Sequence, residues 1–158
     1  MAAMPTLIVL RHAKAVAGLG TSDIDRTLND RGRRDAAATG DWLRAGDLVP
    51  DHVLCSTAAR TRETLDLLSL DAAVSFEAGI YGNDPDHLLS LVSEAPEDAG
   101  RVLLVGHNPS VHQLVQDLTG QAPDSFPTCA LAVIDLPGAW TDARPGAGTL
   151  RTVHTPKG

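Results

Sequence analysis

The feature that most constrains the fold of this chain is a short apolar run near the N-terminus that ends in two polar side chains. The run is Leu7-Ile-Val-Leu10, and Arg11 and His12 follow it directly. Such a run is typical of a buried strand in a parallel sheet. Ligands of open α/β sheets bind outside the carboxyl ends of the strands. Arg11 and His12 are therefore predicted to lie at a ligand-binding edge, where a fixed cation beside a histidine suits chemistry on an anion, phosphate above all.

Short apolar runs alternate with longer segments of helical periodicity. The predicted strands are residues 6–11, 52–56, 73–77, 101–106, 130–136 and 149–154, and the predicted helices are residues 29–45, 58–69, 85–94 and 109–119. This alternation predicts an α/β fold, a three-layer αβα sandwich around a mostly parallel central sheet. The last two strands flank a connection rich in proline and glycine, residues 137–148, and are expected to form a hairpin with an antiparallel strand at the edge of the sheet.

The composition is that of one globular domain spanning residues 1–158. Hydrophobic residues make up 43% of the chain and charged residues 21%, which favours neither a disordered nor a membrane protein. No apolar stretch approaches the ~18–20 residues of a transmembrane span, and residues 1–5 lack the features of a signal peptide. A formal net charge of −7 argues against a nucleic-acid partner, which requires a basic surface. Cys55 and Cys129 suggest no disulfide framework, so the cytoplasm is the expected compartment.

Arg60 lies in the first turn of the predicted helix 58–69. A cation at this position opposes the helix dipole, and a bound anion would remove the conflict. The alternative is a surface arginine that pairs with Glu63 on the same helix. Ser56 and Thr57 are the candidate caps of this helix, and Asn29 is the candidate cap of the predicted helix 29–45.

His107 follows the predicted strand 101–106 as His12 follows the first strand. Gly106 before it lets the backbone approach a ligand closely. His107 is predicted to donate a hydrogen bond to a phosphoryl oxygen as negative charge develops there. Asn108, with a proline after it, is predicted to cap the next helix, whose N-terminus would point to the same edge of the sheet.

Two histidines and two arginines at one edge predict phosphoryl transfer. The charge of nearby arginines lowers the pKa of His12 and keeps its attacking nitrogen neutral. Attack on phosphorus would form a phosphohistidine and split one difficult transfer into two easier steps. Arg11 and Arg60 would bind the phosphoryl oxygens bidentately, without magnesium.

A metal site built from His12, His107 and His112 is the competing hypothesis. Arg11 and Arg60 at the same edge would repel a cation, and no cluster of carboxylates or cysteines has the spacing of metal ligands. No metal and no cofactor are therefore expected.

Cys55, with an arginine a few residues later, also suggests the loop of a cysteine phosphatase. That loop needs one residue more between its cysteine and its arginine than separates Cys55 from Arg60, and the glycine-rich cradle is missing. Cys55 is instead predicted to be a small buried residue.

Three motifs resemble, in order and spacing, those of the histidine phosphatase superfamily, whose fold is phosphoglycerate mutase-like. Arg11-His12 stands where the family has Arg-His-Gly, Ser56-Thr-Ala-Ala-Arg60-Thr-x-x-Thr64 resembles its second arginine motif, and Gly106-His107-Asn108 resembles its second histidine motif. The resemblance covers residues 6 to about 136. Ala13 in place of the glycine, and little room for insertions over the site, are similar to the small SixA-like branch.

The resemblance implies that His12 accepts the phosphate and that Arg11, Arg60 and His107, with Asn108, bind the phosphoryl group. Larger relatives carry a glutamate general acid near the position of Glu77, which is the candidate acid here or else a surface residue. Asp23 and Asp25 are alternatives to it.

The substrate implied by this branch is phosphohistidine on a protein, because a protonated imidazole leaves readily without a strong general acid. A small phosphorylated molecule, acted on by a phosphatase or mutase of the same family, is the second hypothesis. A noncatalytic module that binds phosphorylated ligands is the third. Neither nucleic acid nor a membrane is an expected partner.

Overall fold

The computed structural model describes residues 5–156, and its centre is a six-stranded sheet. The strands occur in the spatial order β3-β2-β4-β1-β5-β6. Their bounds are β1 (Thr6–Arg11), β2 (His52–Ser56), β3 (Ala73–Glu77), β4 (Arg101–Gly106), β5 (Leu131–Asp135) and β6 (Thr149–His154). The first four strands are parallel to one another, β5 pairs antiparallel with β1, and β6 pairs antiparallel with β5 at the edge of the sheet. The predicted α/β fold with a mostly parallel sheet and a C-terminal hairpin is confirmed.

Helices cover both faces of this sheet. Their bounds are α1 (Asp30–Ala45), α2 (Ala59–Leu68), α3 (Ala78–Tyr81), α4 (Pro85–Ser93) and α5 (Ser110–Thr119). The single turn α3 was not predicted, because four residues are too few to display a helical period. Short 3₁₀ turns occur at Asp23–Asp25 and Trp140–Asp142. None of the helices within residues 5–156 has the length and apolarity needed to cross a membrane.

The continuous apolar character of β1 follows from its burial on both faces. Leu7 and Val9 pack in one core with side chains of α4 and α5, and Ile8 and Leu10 pack in a second core with side chains of α1 and α2. Successive side chains of a strand point to opposite faces, so a strand between two helical layers must be apolar at every position. At its carboxyl end the strand departs from this pattern at Arg11, and His12 follows where the chain leaves the core.

Of the predicted helix caps, only the first is confirmed. Asn29 caps α1 by accepting the Gly32 N–H at 2.8 Å. The prediction for Asn108 is wrong: Pro109 precedes α5, and the Asn108 amide instead donates to the Phe126 carbonyl oxygen at 2.8 Å. Ser56 does not cap a helix N–H of α2 either; its Oγ accepts the N–H of Ala58, the residue before the helix, at 3.3 Å. Asn108 lines a cavity at the edge of the sheet, and Ser56 Oγ contacts His107, another residue that lines it.

Close packing of α1 on α2 depends on Gly40. A methyl group added there would lie 2.2 Å from the carbonyl oxygen of Leu68, a backbone atom at the end of α2. We expect Gly40→Ala to lower the free energy of unfolding by about 1–3 kcal/mol, because the two helices must separate to admit the methyl group. Urea denaturation followed by circular dichroism measures the loss. Gly100→Ala is the matched control, since its methyl group would meet its nearest atom at 3.4 Å; equal losses in the two variants would contradict this explanation.

Candidate active site

The parallel pairing of β1 with β4 brings the two predicted histidines together. Arg11 lies opposite Gly106 in the register of the pair, and the His12 N–H donates to the Gly106 carbonyl oxygen at 3.1 Å. Both strands therefore leave the core at the same level. The ring centroids of His12 and His107 are 5.3 Å apart.

The carboxyl ends of these strands open into a cavity of about 560 Å³. The residues that line it are Arg11, His12, Lys14, Ala15, Asp23, Arg26, Arg60, Tyr81, Asn83, His107, Asn108 and Thr128. Arg11, His12, Arg60, His107 and Asn108, the residues predicted to act on a phosphoryl group, are all among them. Glu77, the candidate acid or else a surface residue, is not among them: it ends β3 and immediately precedes α3. The alternative carboxylate Asp23 does line the cavity.

The hydrogen bond of His12 determines which ring nitrogen is free. Nδ1 lies 2.7 Å from the Ala13 carbonyl oxygen. Because a carbonyl oxygen only accepts, Nδ1 must carry the proton, and Nε2 of the neutral ring keeps its lone pair. Burial of the ring and, to a smaller extent, the charges of Arg60 and Arg11 lower its pKa to about 4. Sequence reasoning named the arginines as the cause of the neutral ring, whereas burial is the larger one.

His107 is also held neutral, by its burial and then by the proximity of His12, which together lower its pKa to about 3. Its Nε2 lies 2.8 Å from Ser56 Oγ. Ser56 Oγ also accepts the Ala58 N–H, and its hydroxyl group can either donate to Nε2 or accept from it, according to the tautomer of the ring. Nδ1 is a buried atom with no hydrogen-bond partner among the described residues. The ring itself lines the cavity.

Arg60 is buried and pairs with the first loop instead of its own helix. Its guanidinium donates to the Asp23 carbonyl oxygen at 2.7 Å and to Asp23 Oδ2 at 3.1 Å. Tyr81 and Arg26 also donate to the Asp23 carboxylate, and these hydrogen bonds hold its pKa well below the usual range. The alternative pairing of Arg60 with Glu63 is wrong. Glu63 instead accepts hydrogen bonds from the Leu28 N–H, shortly before α1, and from Arg33 Nε.

Arg11 and Asn108 donate hydrogen bonds to the same backbone carbonyl oxygen. Arg11 Nη1 and Asn108 Nδ2 donate to the Phe126 carbonyl oxygen at 3.2 and 2.8 Å. Arg11 Nε and Asn108 Oδ1 are buried and lack partners among the described residues. Burial and the charge of Arg60 lower the pKa of Arg11. The guanidinium thus retains donor capacity for an anionic ligand.

The hydroxyl group of Thr64 connects the segment after β1 to the first turn of α2. Its Oγ1 accepts the Ala13 N–H at 3.0 Å and donates to the Arg60 carbonyl oxygen at 2.6 Å. One hydroxyl group therefore ties the residue after His12 to the first turn of α2. This contact positions two side chains of the cavity relative to each other.

Sequence reasoning missed several residues of the cavity wall. They are Lys14, Arg26, Tyr81, Asn83 and Thr128. Tyr81 had a signal, since it is the only tyrosine of the chain and lies four residues after Glu77, the candidate acid. The others belong to loops, where no period marks the direction of a side chain.

The two alternative sites considered for this chain are a cysteine nucleophile and a metal site. Burial raises the pKa of the Cys55 thiol to about 12, which opposes a role as nucleophile. Cys129, like Cys55, is free and buried. Within residues 5–156 there is no group of three or more histidine, cysteine, aspartate or glutamate side chains arranged to hold a metal ion.

The chain is similar to known proteins over nearly its full length. A sequence profile of the histidine phosphatase superfamily (branch 1) matches residues 7–79. An uncharacterised Mycobacterium tuberculosis protein is 34% identical, with 94% of this chain and 100% of the relative covered. A Nakamurella multipartitia structure assigned as a phosphohistidine phosphatase SixA is 35% identical, with 98% of each chain covered and a TM-score of 0.88. The protein histidine phosphatase SixA complexed with tungstate is 25% identical, with 95% of this chain and 96% of that one covered and a TM-score of 0.76.

The neutral state of both histidines is directly measurable. In NMR titrations of ¹⁵N-histidine-labelled protein, we expect midpoints near pH 4 for His12 and near pH 3 for His107, below the ordinary 6.5. Variants His12→Gln and His107→Gln assign the two signals. Because the unfolded chain binds more protons than the folded one between about pH 6.5 and pH 4, these histidines make the protein less stable as the pH falls through that window. A midpoint for His12 at its ordinary value would contradict the proposed effect of burial.

Proposed function

This chain belongs to the SixA-like branch of the histidine phosphatase superfamily, and from that membership we propose a specific reaction for it. The family membership supports phosphatase activity. The proposed reaction removes the phosphoryl group from phosphohistidine on a protein, without a metal ion, through a phosphohistidine intermediate on His12. A reducing cytoplasm, inferred from two unpaired cysteines, is part of the proposal.

The observation that carries the proposal is the state of the His12 ring. Its Nδ1–H is fixed by the Ala13 carbonyl oxygen, and its pKa of about 4 leaves Nε2 unprotonated near neutral pH. An unprotonated nitrogen beside a cavity that contains several cations is the arrangement that nucleophilic attack on a phosphoryl group requires.

Arg11, Arg60 and His107 supply the donors for the phosphoryl oxygens. The guanidinium groups of Arg11 and Arg60 and the imidazole of His107 all line the cavity and carry N–H donors for negative charge. Phosphoryl transfer depends mainly on positioning and on electrostatic stabilisation of these oxygens. The complex of SixA with tungstate, a tetrahedral oxyanion, supports an oxyanion site of this kind in a relative.

The reaction has two displacement steps. In the first, His12 Nε2 forms a bond to phosphorus while the bond between phosphorus and the substrate imidazole breaks, and the imidazole leaves with the electron pair. In the second, water attacks the phosphorus of phospho-His12, the bond to Nε2 breaks, and inorganic phosphate and a proton are released. Both steps develop negative charge on the same oxygens, so one set of donors serves both.

The carboxylates near the site favour a nitrogen leaving group. Glu77 lies outside the cavity, and the Asp23 carboxylate is held ionised by Tyr81 and Arg26, so neither is a ready proton donor at neutral pH. An alkoxide leaving group would need such a donor. A phosphorylated imidazole, protonated on its other nitrogen, leaves as a neutral ring and needs none.

Replacing His12 tests the intermediate. We expect His12→Ala to lose about 10³-fold or more of the phosphatase rate, because the covalent route is removed while the donors remain. The wild-type protein, incubated with phosphoramidate, should carry one acid-labile and alkali-stable phosphate that mass spectrometry assigns to residue 12. His87→Ala, a substitution of an exposed histidine outside the cavity, is the matched control and should behave as the wild type. Hydrolysis by His12→Ala at the wild-type rate would refute the proposal.

The leaving group and the metal requirement are tested with a panel of small substrates. Phosphoimidazole should be hydrolysed with a higher kcat/KM than an alkyl phosphate ester, because only the ester needs a general acid. A chelator should leave the phosphoimidazole rate unchanged. Preference for the ester would favour a small-molecule phosphomonoesterase, and loss of activity with the chelator, restored by magnesium, would contradict metal independence.

A further inference from the structure

Three of the large apolar side chains left exposed by the fold lie on a single loop. Val16, Leu19 and Ile24 are 39%, 92% and 38% exposed, and within residues 5–156 the other two such side chains belong to the edge strand β3. Single exposed apolar side chains are ordinary on a protein surface. Three of them within nine residues of one loop are a local concentration of exposed apolar surface, and such surface marks sites that bind another molecule.

This loop, residues 16–24, is held in a defined conformation. Ala15 and Leu28 form an antiparallel bridge at its base, and the Arg26 guanidinium donates to the Val16 carbonyl oxygen at 2.9 Å. On the cavity side, Asp23 accepts the hydrogen bonds from Arg60 and Tyr81 described above. A surface that is already ordered loses little conformational entropy on binding.

The loop is continuous with the proposed active site. Asp23, which lies within it, and Arg26, which follows it, line the cavity, as does Lys14 on the strand-proximal side. Leu19, at 92% exposure, lies on the part of the loop that faces solvent. A molecule bound in the cavity and large enough to extend beyond it can therefore contact the apolar side chains.

Charge indicates what kind of partner fits. The chain has a net charge of −7, yet the cavity contains Arg11, Lys14, Arg26 and Arg60 against one carboxylate, Asp23. These four cations form what we call the positive mouth of the cavity. On a protein of negative net charge, a positive mouth attracts and orients an acidic partner surface and disfavours a second copy of the same chain.

We propose that residues 16–24, together with Lys14, form a docking surface for the protein that carries the phosphohistidine. The partner surface would present apolar side chains to Val16, Leu19 and Ile24, and carboxylates to the positive mouth. This inference rests on the proposed function and extends it, since a small phosphorylated molecule held within the cavity would not need an ordered apolar loop outside it.

The test compares synthetic helical peptides that each carry one histidine. The first peptide presents leucines and glutamates on the face of the histidine; in the second the leucines are serines, and in the third the glutamates are glutamines. Binding is measured by fluorescence anisotropy with the unphosphorylated peptides, which requires no turnover. The kcat/KM is then measured with the phosphohistidine forms and with phosphoimidazole.

The decisive variant is Leu19→Ser, a change at an exposed position outside the cavity. We expect about fivefold to tenfold weaker binding and lower kcat/KM with the first peptide, the loss that follows removal of one apolar anchor from a small interface. Phosphoimidazole turnover should stay at the wild-type value. Val74→Ser, which removes a 40% exposed apolar side chain from β3, is the matched control and should leave every value unchanged.

Each other outcome overturns a separate claim. Equal binding of the three peptides, or of the first peptide by wild type and Leu19→Ser, overturns the docking surface even if phosphoimidazole is hydrolysed. A concentration-dependent dimer that Leu19→Ser dissolves, detected by analytical ultracentrifugation, overturns it in favour of a second copy of the chain. Failure to hydrolyse phosphoimidazole overturns the proposed function, while the anisotropy measurement still decides the docking surface.

Discussion

The parallel pairing of β1 with β4 is the constraint on which the rest of this structure depends. The two strands lie far apart in the sequence, but their register places Arg11 opposite Gly106, and the residue after each strand is a histidine. The pairing is fixed by apolar side chains buried on both faces, because a shift by one residue would exchange the two cores. The stability of the sheet and the distance between the two imidazoles thus have the same physical origin.

Burial has a second consequence at this edge. A histidine exposed on a surface would be partly protonated near neutral pH, and a protonated ring cannot attack phosphorus. His12 and His107 are each buried at the rim of the core, and burial is the largest cause of the low pKa of both rings. The arginines that would bind an anion act in the same direction. The proposed nucleophile, His12, is therefore kept unprotonated by burial and by the same cations that would bind an anion in the cavity.

The sequence predicts most of this fold because its elements have clear periods and clear ends. All six strands are where the apolar runs predict them, with only β5 shortened by one residue at each end. The helix N-termini are predicted less well. Asn108 has the residue type and the following proline of a helix cap. Its amide nevertheless donates a hydrogen bond to the Phe126 carbonyl oxygen, which lies 18 residues away in the sequence. A long-range contact of this kind leaves no local pattern.

The residues of the candidate site also differ in how well the sequence predicts them. Arg11, His12 and His107 follow buried strands, and Arg60 lies in the first turn of a helix, so topology alone predicts their convergence at one edge. Arg26, Tyr81 and Thr128 line the same cavity from loops or from a single helical turn, where the direction of a side chain depends on tertiary contacts. Glu77 is the last residue of β3, the edge strand, which two other strands separate from β1, and it does not line the cavity.

The Asp23 carboxylate links the chemistry of the cavity to the surface of the loop. One carboxylate accepts hydrogen bonds from Arg60, Arg26 and Tyr81, which belong to three separate segments of the chain. These contacts hold the Arg60 guanidinium in place and put one negative charge in a cavity that is otherwise lined by cations and neutral groups. Asp23 also lies in residues 16–24, so the acceptor that positions Arg60 in the cavity is part of the same loop as the proposed docking surface.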